Sequence, residues 1–151
     1  MKIGIAADHG GFALKQQIIE ILEEMDFSVT DFGAGKLNPA DDYPDFVGPL
    51  ARAVSSGLAD RGIAVCGSGV GASIVANKFP GVRAALITES YSARQGVEHD
   101  NMNIICLGGR VIGPELAKEL ILAFVKAHYT GEARHERRLK KLESIENQMF
   151  K

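Results

Sequence analysis

Short apolar runs alternate along this chain with longer segments in which apolar residues recur every three or four positions. The short runs predict five strands, over residues 2–7, 27–32, 62–66, 83–88 and 103–108. The longer segments predict six helices, over residues 12–25, 44–56, 70–77, 90–97, 114–128 and 134–149. This alternation predicts a three-layer α/β/α sandwich with a five-stranded parallel sheet, Rossmann-like or flavodoxin-like.

Composition narrows the class of protein further. Hydrophobic residues make up 46% of the chain and charged residues 24%, which is typical of a single globular domain, here residues 1–151. The net charge of −2 argues against nucleic acid as a partner, and no apolar run approaches the roughly 18 residues that a membrane span needs. The first strand begins at Lys2, which leaves no room for a signal peptide. Two cysteines are too few for a disulfide framework, so we expect a cytoplasmic protein.

Polar side chains follow the predicted strands at their carboxyl ends, where ligands bind in open α/β sheets. The first strand leads into Asp8 and His9, and the third strand ends in Cys66 and a glycine-rich turn. Tyr43 ends the loop after the second strand, and Arg110 follows the fifth strand. A carboxylate, an imidazole, a thiol, a phenol and a guanidinium are therefore expected at one edge of the sheet.

The segment from Cys66 to Gly71 places a thiol beside a row of backbone N–H groups at the start of a predicted helix. Such N–H groups suit phosphates and oxyanions, and a helix N-terminus stabilises a thiolate. We therefore interpret Cys66 as a functional cysteine next to an anion-binding turn. Cys106 lies inside the fifth predicted strand, and we interpret it as a core residue.

The same turn also fits a dinucleotide-binding fingerprint. Gly67, Gly69 and Ala72 match the looser form of that motif, and Glu89 lies about 20 residues further on, where a ribose-binding acid is expected. A small dinucleotide-binding module is therefore an alternative function. The cysteine that opens the turn, its position in mid-chain and the short chain argue against that alternative.

Other candidate residues lie away from this edge. His99 falls near the start of the fifth predicted strand, at the opposite edge of the sheet from Cys66. A catalytic His99 would therefore come from a second subunit. The apolar stripe on the last helix favours packing on such a subunit, and it contains Leu139, Leu142, Ile145 and Met149.

The last predicted helix also carries a basic run with two possible meanings. Most such runs are solvated helix faces. Arg134 and Arg138 are four residues apart and share a face of the helix, so that together they could clamp a phosphate. The run consists of Arg134, His135, Arg137 and Arg138.

Several of these segments occur together, in the same order, in one known family. They resemble the type B ribose-5-phosphate isomerases, which include the galactose-6-phosphate and allose-6-phosphate isomerases. The resemblance extends from Met1 to about Ile145, and the combination is specific although each piece is weak alone. The matching segments are Asp8-His9-Gly10-Gly11, Asp42-Tyr43-Pro44, Cys66-Gly67-Ser68-Gly69-Val70-Gly71, Ala76-Asn77-Lys78 and Arg134-His135-x-x-Arg138.

The resemblance implies aldose–ketose isomerisation of a phosphosugar through a cis-enediolate, without a metal or an organic cofactor. It makes Cys66 the base that moves a proton between C1 and C2, and Ser68 a helper that moves protons between the oxygens. His99 matches the acid/base that opens the sugar ring, with Asp8 near the ring oxygen. The N–H groups around Gly67, Gly69 and Gly71 would stabilise the enediolate.

The resemblance also implies how the substrate is held. Tyr43 would line the sugar pocket, and the substrate's phosphate would be bound by His9, Arg110, Arg134 and Arg138. Members of the family are dimers or tetramers with sites shared between subunits. This chain is therefore expected to form a homo-oligomer, such as a homodimer.

One position departs from the family. His99 is followed by Asp100 where relatives commonly have asparagine, so that an amide donor is replaced by a carboxylate that can only accept when ionised. Asn101 could take over the missing contact. We expect ribose 5-phosphate and ribulose 5-phosphate as the substrate pair, with a six-carbon sugar phosphate, allose 6-phosphate or galactose 6-phosphate, as the alternative.

Overall fold

The computed structural model describes residues 1–150, in which strands and helices alternate. None of the described helices is both long enough and apolar enough for a membrane-spanning segment. The strands are β1 (Lys2–Ala7), β2 (Ser28–Asp31), β3 (Arg61–Cys66), β4 (Ala84–Leu86) and β5 (Ile104–Gly108). The helices are α1 (Phe12–Glu24), α2 (Pro44–Ser55), α3 (Val70–Ala76), α4 (Ser90–Asp100), α5 (Pro114–Lys126) and α6 (Ala133–Met149).

The five strands form one parallel sheet in the order β2-β1-β3-β5-β4. Its three central strands are almost wholly buried, because helices cover both faces of a parallel sheet. Along β3, Ile63 and Val65 pack in a core with α1, α4 and α5, whereas Ala64 and Cys66 pack in a core with α2 and α3. The predicted three-layer α/β/α fold is confirmed.

The sheet opens a crevice between the carboxyl ends of β1 and β3. These strands are neighbours, but α1 packs on one face of the sheet and α3 on the other. The loops that follow the two strands therefore diverge, and ligands bind at such switch points. Asp8 and His9 leave β1 at this crevice, and Cys66 ends β3 beside it.

An ion pair between a buried lysine and a partly exposed aspartate ties α1 to the end of β2. The Lys15 ammonium is 0% exposed and donates to both carboxylate oxygens of Asp31 at 2.8 Å and to the Ala34 carbonyl at 2.6 Å. These three acceptors match the three N–H donors of the ammonium group. The loop that leads towards Tyr43 therefore starts from a fixed point.

Helix α4 extends three residues further than the sequence pattern predicts. His99 and Asp100 form its last turn instead of the start of the fifth strand, and Asn101 ends the helix with a left-handed φ of 51°. The last residues of the helix, from Glu98 onwards, are polar. The helical period is visible only in buried apolar residues, so the sequence pattern does not reveal this extension. The amino edge of the sheet lies directly beyond this turn, where β5 begins at Ile104.

Candidate active site

Three loops meet at the crevice, and a glycine lies at each contact. A Cβ atom on Gly10 would lie 2.8 Å from the Gly67 nitrogen, and one on Gly109 would lie 2.5 Å from the Gly10 carbonyl oxygen. The loops after β1, β3 and β5 therefore touch through their backbones. Arg110 follows the third of these loops, and its guanidinium Nη1 lies 3.4 Å from the Cβ position of Gly67.

Cys66 lies at the base of the glycine turn. Its side chain is buried, and its Sγ accepts a hydrogen bond from the Gly69 N–H at 3.1 Å. Gly69 has φ of 81°, and a Cβ there would lie 2.5 Å from Leu86, so the turn needs glycine. Ser68 is exposed on the same turn, and its hydroxyl accepts from the Val70 N–H at 3.3 Å. A backbone N–H that donates to sulfur, as the Gly69 N–H does to Cys66, stabilises a thiolate.

The second cysteine is in a different environment. Cys106 lies within β5, opposite Ala64 of β3, and its side chain is 0% exposed. Burial raises the pKa of its thiol, because the charged form loses its solvent. Cys106 is thus an inert core residue, as its position in a strand predicts.

The loop before α2 also lines the crevice. The ring of Tyr43 packs on Gly71, where a Cβ would lie 2.6 Å from the Tyr43 Cζ atom. Asp8 is buried, and its Oδ1 accepts the Gly10 N–H at 2.9 Å. Asp41 is not among the site residues predicted from the sequence. Its Oδ1 accepts from both the backbone N–H and the ring Nδ1 of His9, at 2.9 and 2.7 Å.

Asp8, His9 and Asp41 also form the one cluster of metal-ligand side chains found in the described residues. One ligand atom from each lies within 4.8 Å of the others. The hydrogen bond between His9 and Asp41 already joins two of the three groups directly. The sequence does not single out Asp41, because this residue lies in an irregular loop beside a second aspartate, Asp42.

The remaining candidates form a second cluster at the amino edge of the sheet. The ring of His99 stacks on the ring of His135, with 4.0 Å between their centroids, and His99 Nδ1 lies 2.9 Å from Gln95 Nε2. Asp100 and Asn101 follow His99 directly. Within one chain, this cluster and Cys66 are at opposite ends of the parallel strands.

His135 differs from the exposed basic residue that its sequence context predicts. It is 1% exposed, its Nδ1 lies 3.1 Å from Thr130 Oγ1, and its Nε2 has no hydrogen-bond partner within residues 1–150. Burial, and the neighbouring His99, lower the pKa of His135. The neighbouring arginines do match a solvated face, since Arg134 and Arg138 are both exposed. The ring of His99 provides the apolar surface that buries this one position of the face.

The four predicted phosphate ligands divide between the two clusters. His9 and Arg110 lie at the crevice. Arg134 pairs with Glu132 at 3.2 Å near the start of α6, and Arg138 lines a groove together with Asp100. One chain therefore does not bring all four ligands together.

That groove has a volume of about 530 Å³ and lies between α6, α4 and β4, away from Cys66. Its lining is mostly apolar, and several apolar side chains of α6 are left exposed beside it. Ile145 is 63% exposed and Met149 is 76% exposed. Residues of α6 in the groove are Arg138, Leu139, Leu142, Ile145, Glu146 and Met149.

Comparison with known proteins identifies the family. The model of the ribose/galactose isomerase family matches residues 3–142. The chain belongs to this family. Ribose-5-phosphate isomerase B of Escherichia coli is 42% identical over 145 residues, covering 96% of each chain, and D-erythrulose-4-phosphate isomerase of Pectobacterium atrosepticum is 42% identical, covering 87% of this chain and 86% of the other. The structure of ribose-5-phosphate isomerase B from Mycoplasma genitalium with bound ribulose-5-phosphate is 39% identical, with a TM-score of 0.92 over 97% and 96% of the two chains.

Membership of this family and the contacts of Glu89 speak against the dinucleotide-binding alternative. Both Glu89 carboxylate oxygens accept the Ser92 N–H at 3.0 Å, so the residue caps the start of α4. These hydrogen bonds from Ser92 lower the pKa of Glu89. The chain is an aldose–ketose isomerase of sugar phosphates.

Proposed function

We propose that this protein interconverts ribose 5-phosphate and ribulose 5-phosphate, with Cys66 as the base. The observation that carries the proposal is the buried Cys66 thiol, which accepts the Gly69 N–H at the crevice of a ribose/galactose isomerase fold. A relative of the same fold holds ribulose-5-phosphate, and another is named for ribose 5-phosphate. Two buried, unpaired cysteines also agree with a reducing cytoplasm.

The proposed reaction is a balanced proton transfer. The Cys66 thiolate takes the proton from C2 of the open-chain aldose, which leaves an enediolate, and the thiol returns a proton to C1. Ser68 moves the hydroxyl proton between O1 and O2. Backbone N–H groups of Gly67, Gly69 and Gly71 stabilise the negative oxygens, which is the role of an oxyanion hole. No electron leaves the sugar, so no redox partner is needed.

Ring opening and part of the phosphate binding are assigned to a second copy of the chain. His99 lies at the opposite edge from the Cys66 of its own chain, as do Arg134 and Arg138. A partner subunit would bring this cluster, with Asp100 and Asn101, to the crevice and leave Asp8 beside the ring oxygen. The exposed apolar residues of α6 favour such packing, because large apolar patches mark interaction surfaces.

Sugar length is the open choice within the family. The family's name includes galactose, and a 42% identical relative is named for a four-carbon phosphate. Asp100, a carboxylate where relatives commonly have an amide, lies in the cluster assigned to ring opening. The alternative substrate is therefore a six-carbon sugar phosphate, with the same base and the same enediolate.

Turnover on four substrates with chelator present tests the proposal. We expect the highest kcat/KM on ribose 5-phosphate, compared with D-erythrulose 4-phosphate, allose 6-phosphate and galactose 6-phosphate. Preference for another of these sugars would retain the chemistry and replace the substrate. Absence of turnover on all four would contradict the proposed function.

A further inference from the structure

His9 is held by one oxygen atom of Asp41 at two points. Asp41 Oδ1 accepts the backbone N–H of His9 at 2.9 Å and the ring Nδ1 of the same residue at 2.7 Å. The backbone contact fixes the start of the side chain, and the ring contact fixes its rotation. An ionised carboxylate can only accept, so Nδ1 carries a proton and Nε2 is the ring nitrogen left for a ligand.

The burial of the two partners is unequal. The Asp41 side chain is 8% exposed and its Oδ2 has no hydrogen-bond partner within residues 1–150, whereas the His9 side chain is 29% exposed. A buried carboxylate with a free oxygen is costly unless its other contacts are strong. Asp41 is therefore the more buried partner, and the His9 imidazole is the one more open to solvent.

The loop that carries Asp41 does not need this contact to reach the sheet. Ala7 donates to the Gly33 carbonyl at 2.8 Å, and Ala34 donates to the Ala7 carbonyl at 2.7 Å. The Lys15 ammonium also binds the Ala34 carbonyl. These bonds attach the start of the loop to β1 and α1 independently of Asp41, whereas both hydrogen bonds accepted by Asp41 Oδ1 from outside its own loop come from the single residue His9.

We propose that Asp41 is a positioning residue for His9, which fixes the proton on Nδ1 and aims Nε2 at the substrate's phosphate. The inference rests on the proposed function. When the ring carries a second proton, it donates from Nδ1 to Asp41 and from Nε2 to a phosphate oxygen. The cation then lies between two anions, and charge-assisted hydrogen bonds of this kind are the strong ones. Asp41 acts on substrate binding through His9 and does not touch the reacting carbons.

Steady-state kinetics of a double-mutant cycle tests this role. Asp41→Ala should raise the KM for ribose 5-phosphate about tenfold and leave kcat within about threefold. Asp41→Asn keeps an oxygen acceptor and should restore most of the affinity. In a His9→Ala background, Asp41→Ala should change KM less than about twofold, because its effect passes through the ring. Asp45→Ala removes an exposed carboxylate nearby and is the matched control, with KM unchanged.

A spectroscopic measurement tests the position of the proton in the wild-type protein itself. The ¹⁵N shifts of the His9 ring in the unliganded wild type should show a proton on Nδ1, and the same measurement on Asp41→Ala should show it moved towards Nε2. A neutral ring with its proton on Nε2 in the wild type would overturn the proposal. So would an undiminished Asp41→Ala penalty in the His9→Ala background, or a loss of kcat with KM unchanged.

Failure of the proposed function is distinguishable from failure of this inference. If the wild-type protein turns over none of the four sugars, inorganic phosphate replaces the substrate as the probe. Phosphate should still shift the His9 ring signals, with about tenfold weaker affinity in Asp41→Ala. Equal affinity of the wild type and Asp41→Ala would reject the positioning role whatever the reaction is.

Discussion

Cys66 and Cys106 show how two residues of one type obtain different chemistry from the same sheet. Cys106 is enclosed between strands, and burial raises the pKa of its thiol. Cys66 lies at the end of the neighbouring strand β3, two residues beyond the position opposite Cys106, and its sulfur accepts a hydrogen bond from the Gly69 N–H. Of the two cysteines, Cys66 alone has a hydrogen-bond donor at its sulfur and a crevice beside it, and for this reason we propose it as the base.

The two cysteines provide a matched pair of substitutions. Cys66→Ala should lower kcat by about 10²- to 10⁴-fold, which is the usual contribution of a general base, while the protein stays folded. Binding of ribulose 5-phosphate, measured by calorimetry, should persist because the glycine turn is unchanged. Cys106→Ala should keep kcat within about twofold. Near-normal turnover by Cys66→Ala would remove the thiol from the mechanism.

Single residues were predictable where position along a strand decides the environment. Cys66, Asp8 and His9 follow directly from strand ends at the switch point of a parallel sheet. Asp41 was not predictable, because its importance lies in a contact with His9 across 32 positions and an irregular loop has no periodicity. His135 was misassigned to a solvated face, since its burial comes from contacts with distant residues, among them the stacked ring of His99.

At the scale of elements, side-chain hydrogen bonds to the backbone fix where segments begin and end. Asn77, after α3, donates to the Ala84 carbonyl at 2.8 Å and accepts the Ala84 N–H at 2.9 Å. Its side chain thus pairs with β4 as a neighbouring strand would. The Ala76-Asn77-Lys78 motif therefore has a structural role at the sheet edge, away from the crevice.

The ion pair beneath α1 leads to a prediction of stability. Lys15→Met should lower the free energy of unfolding by about 2 kcal/mol, because the Ala34 carbonyl loses its buried donor, whereas the partly exposed Asp31 can be solvated by water. Urea denaturation at fixed protein concentration measures this change. Lys36→Met removes an exposed lysine and is the control, with an effect within about 0.5 kcal/mol. Equal stability of Lys15→Met and the wild type would show that water replaces the ammonium.

Strands and helices were predictable almost to their ends, because buried parallel strands form short continuous apolar runs and helices repeat apolar residues every three or four positions. The end of α4 was the exception, since it is decided by the left-handed backbone of Asn101 after a polar turn. Sheet order was not predictable from periodicity, because every central strand is apolar on both faces and gives the same pattern.

For the whole molecule, the main feature is the separation of two sets of polar residues by the length of the strands. The crevice holds Cys66 and His9, and the amino edge holds His99 and Arg138. The sequence predicted this division for His99, because that residue precedes the fifth strand, but not for Arg138, because a helix face gives no information on which edge it reaches. Under the proposed function, a complete site is assembled from two chains.

Subunit exchange between two inactive variants tests this assembly. Mixed dimers of Cys66→Ala and His99→Asn contain one site with both residues intact, so equal mixing should recover about a quarter of wild-type activity. Cys66→Ala mixed with Ser68→Ala is the control, since both changes lie on one turn and should recover nothing beyond the separate activities. Native mass spectrometry confirms that exchange has occurred. Exchange without recovery would place Cys66 and His99 in the same chain's site.

The contacts at Gly10, Gly67 and Gly109 have a consequence for how this family diverges. The floor of the crevice is made by backbone atoms of three loops, which touch so closely that a side chain at Gly10 or Gly109 would collide. A substitution at Gly10 or Gly109 would push the loops apart, and it could not change the shape of the floor by small steps. New sugar preferences must therefore arise in the side chains around the floor, which under the proposed function include those of a second chain. The proton transfer proposed for Cys66 can then be kept while sugar preference changes, because the floor and the side chains around it vary independently.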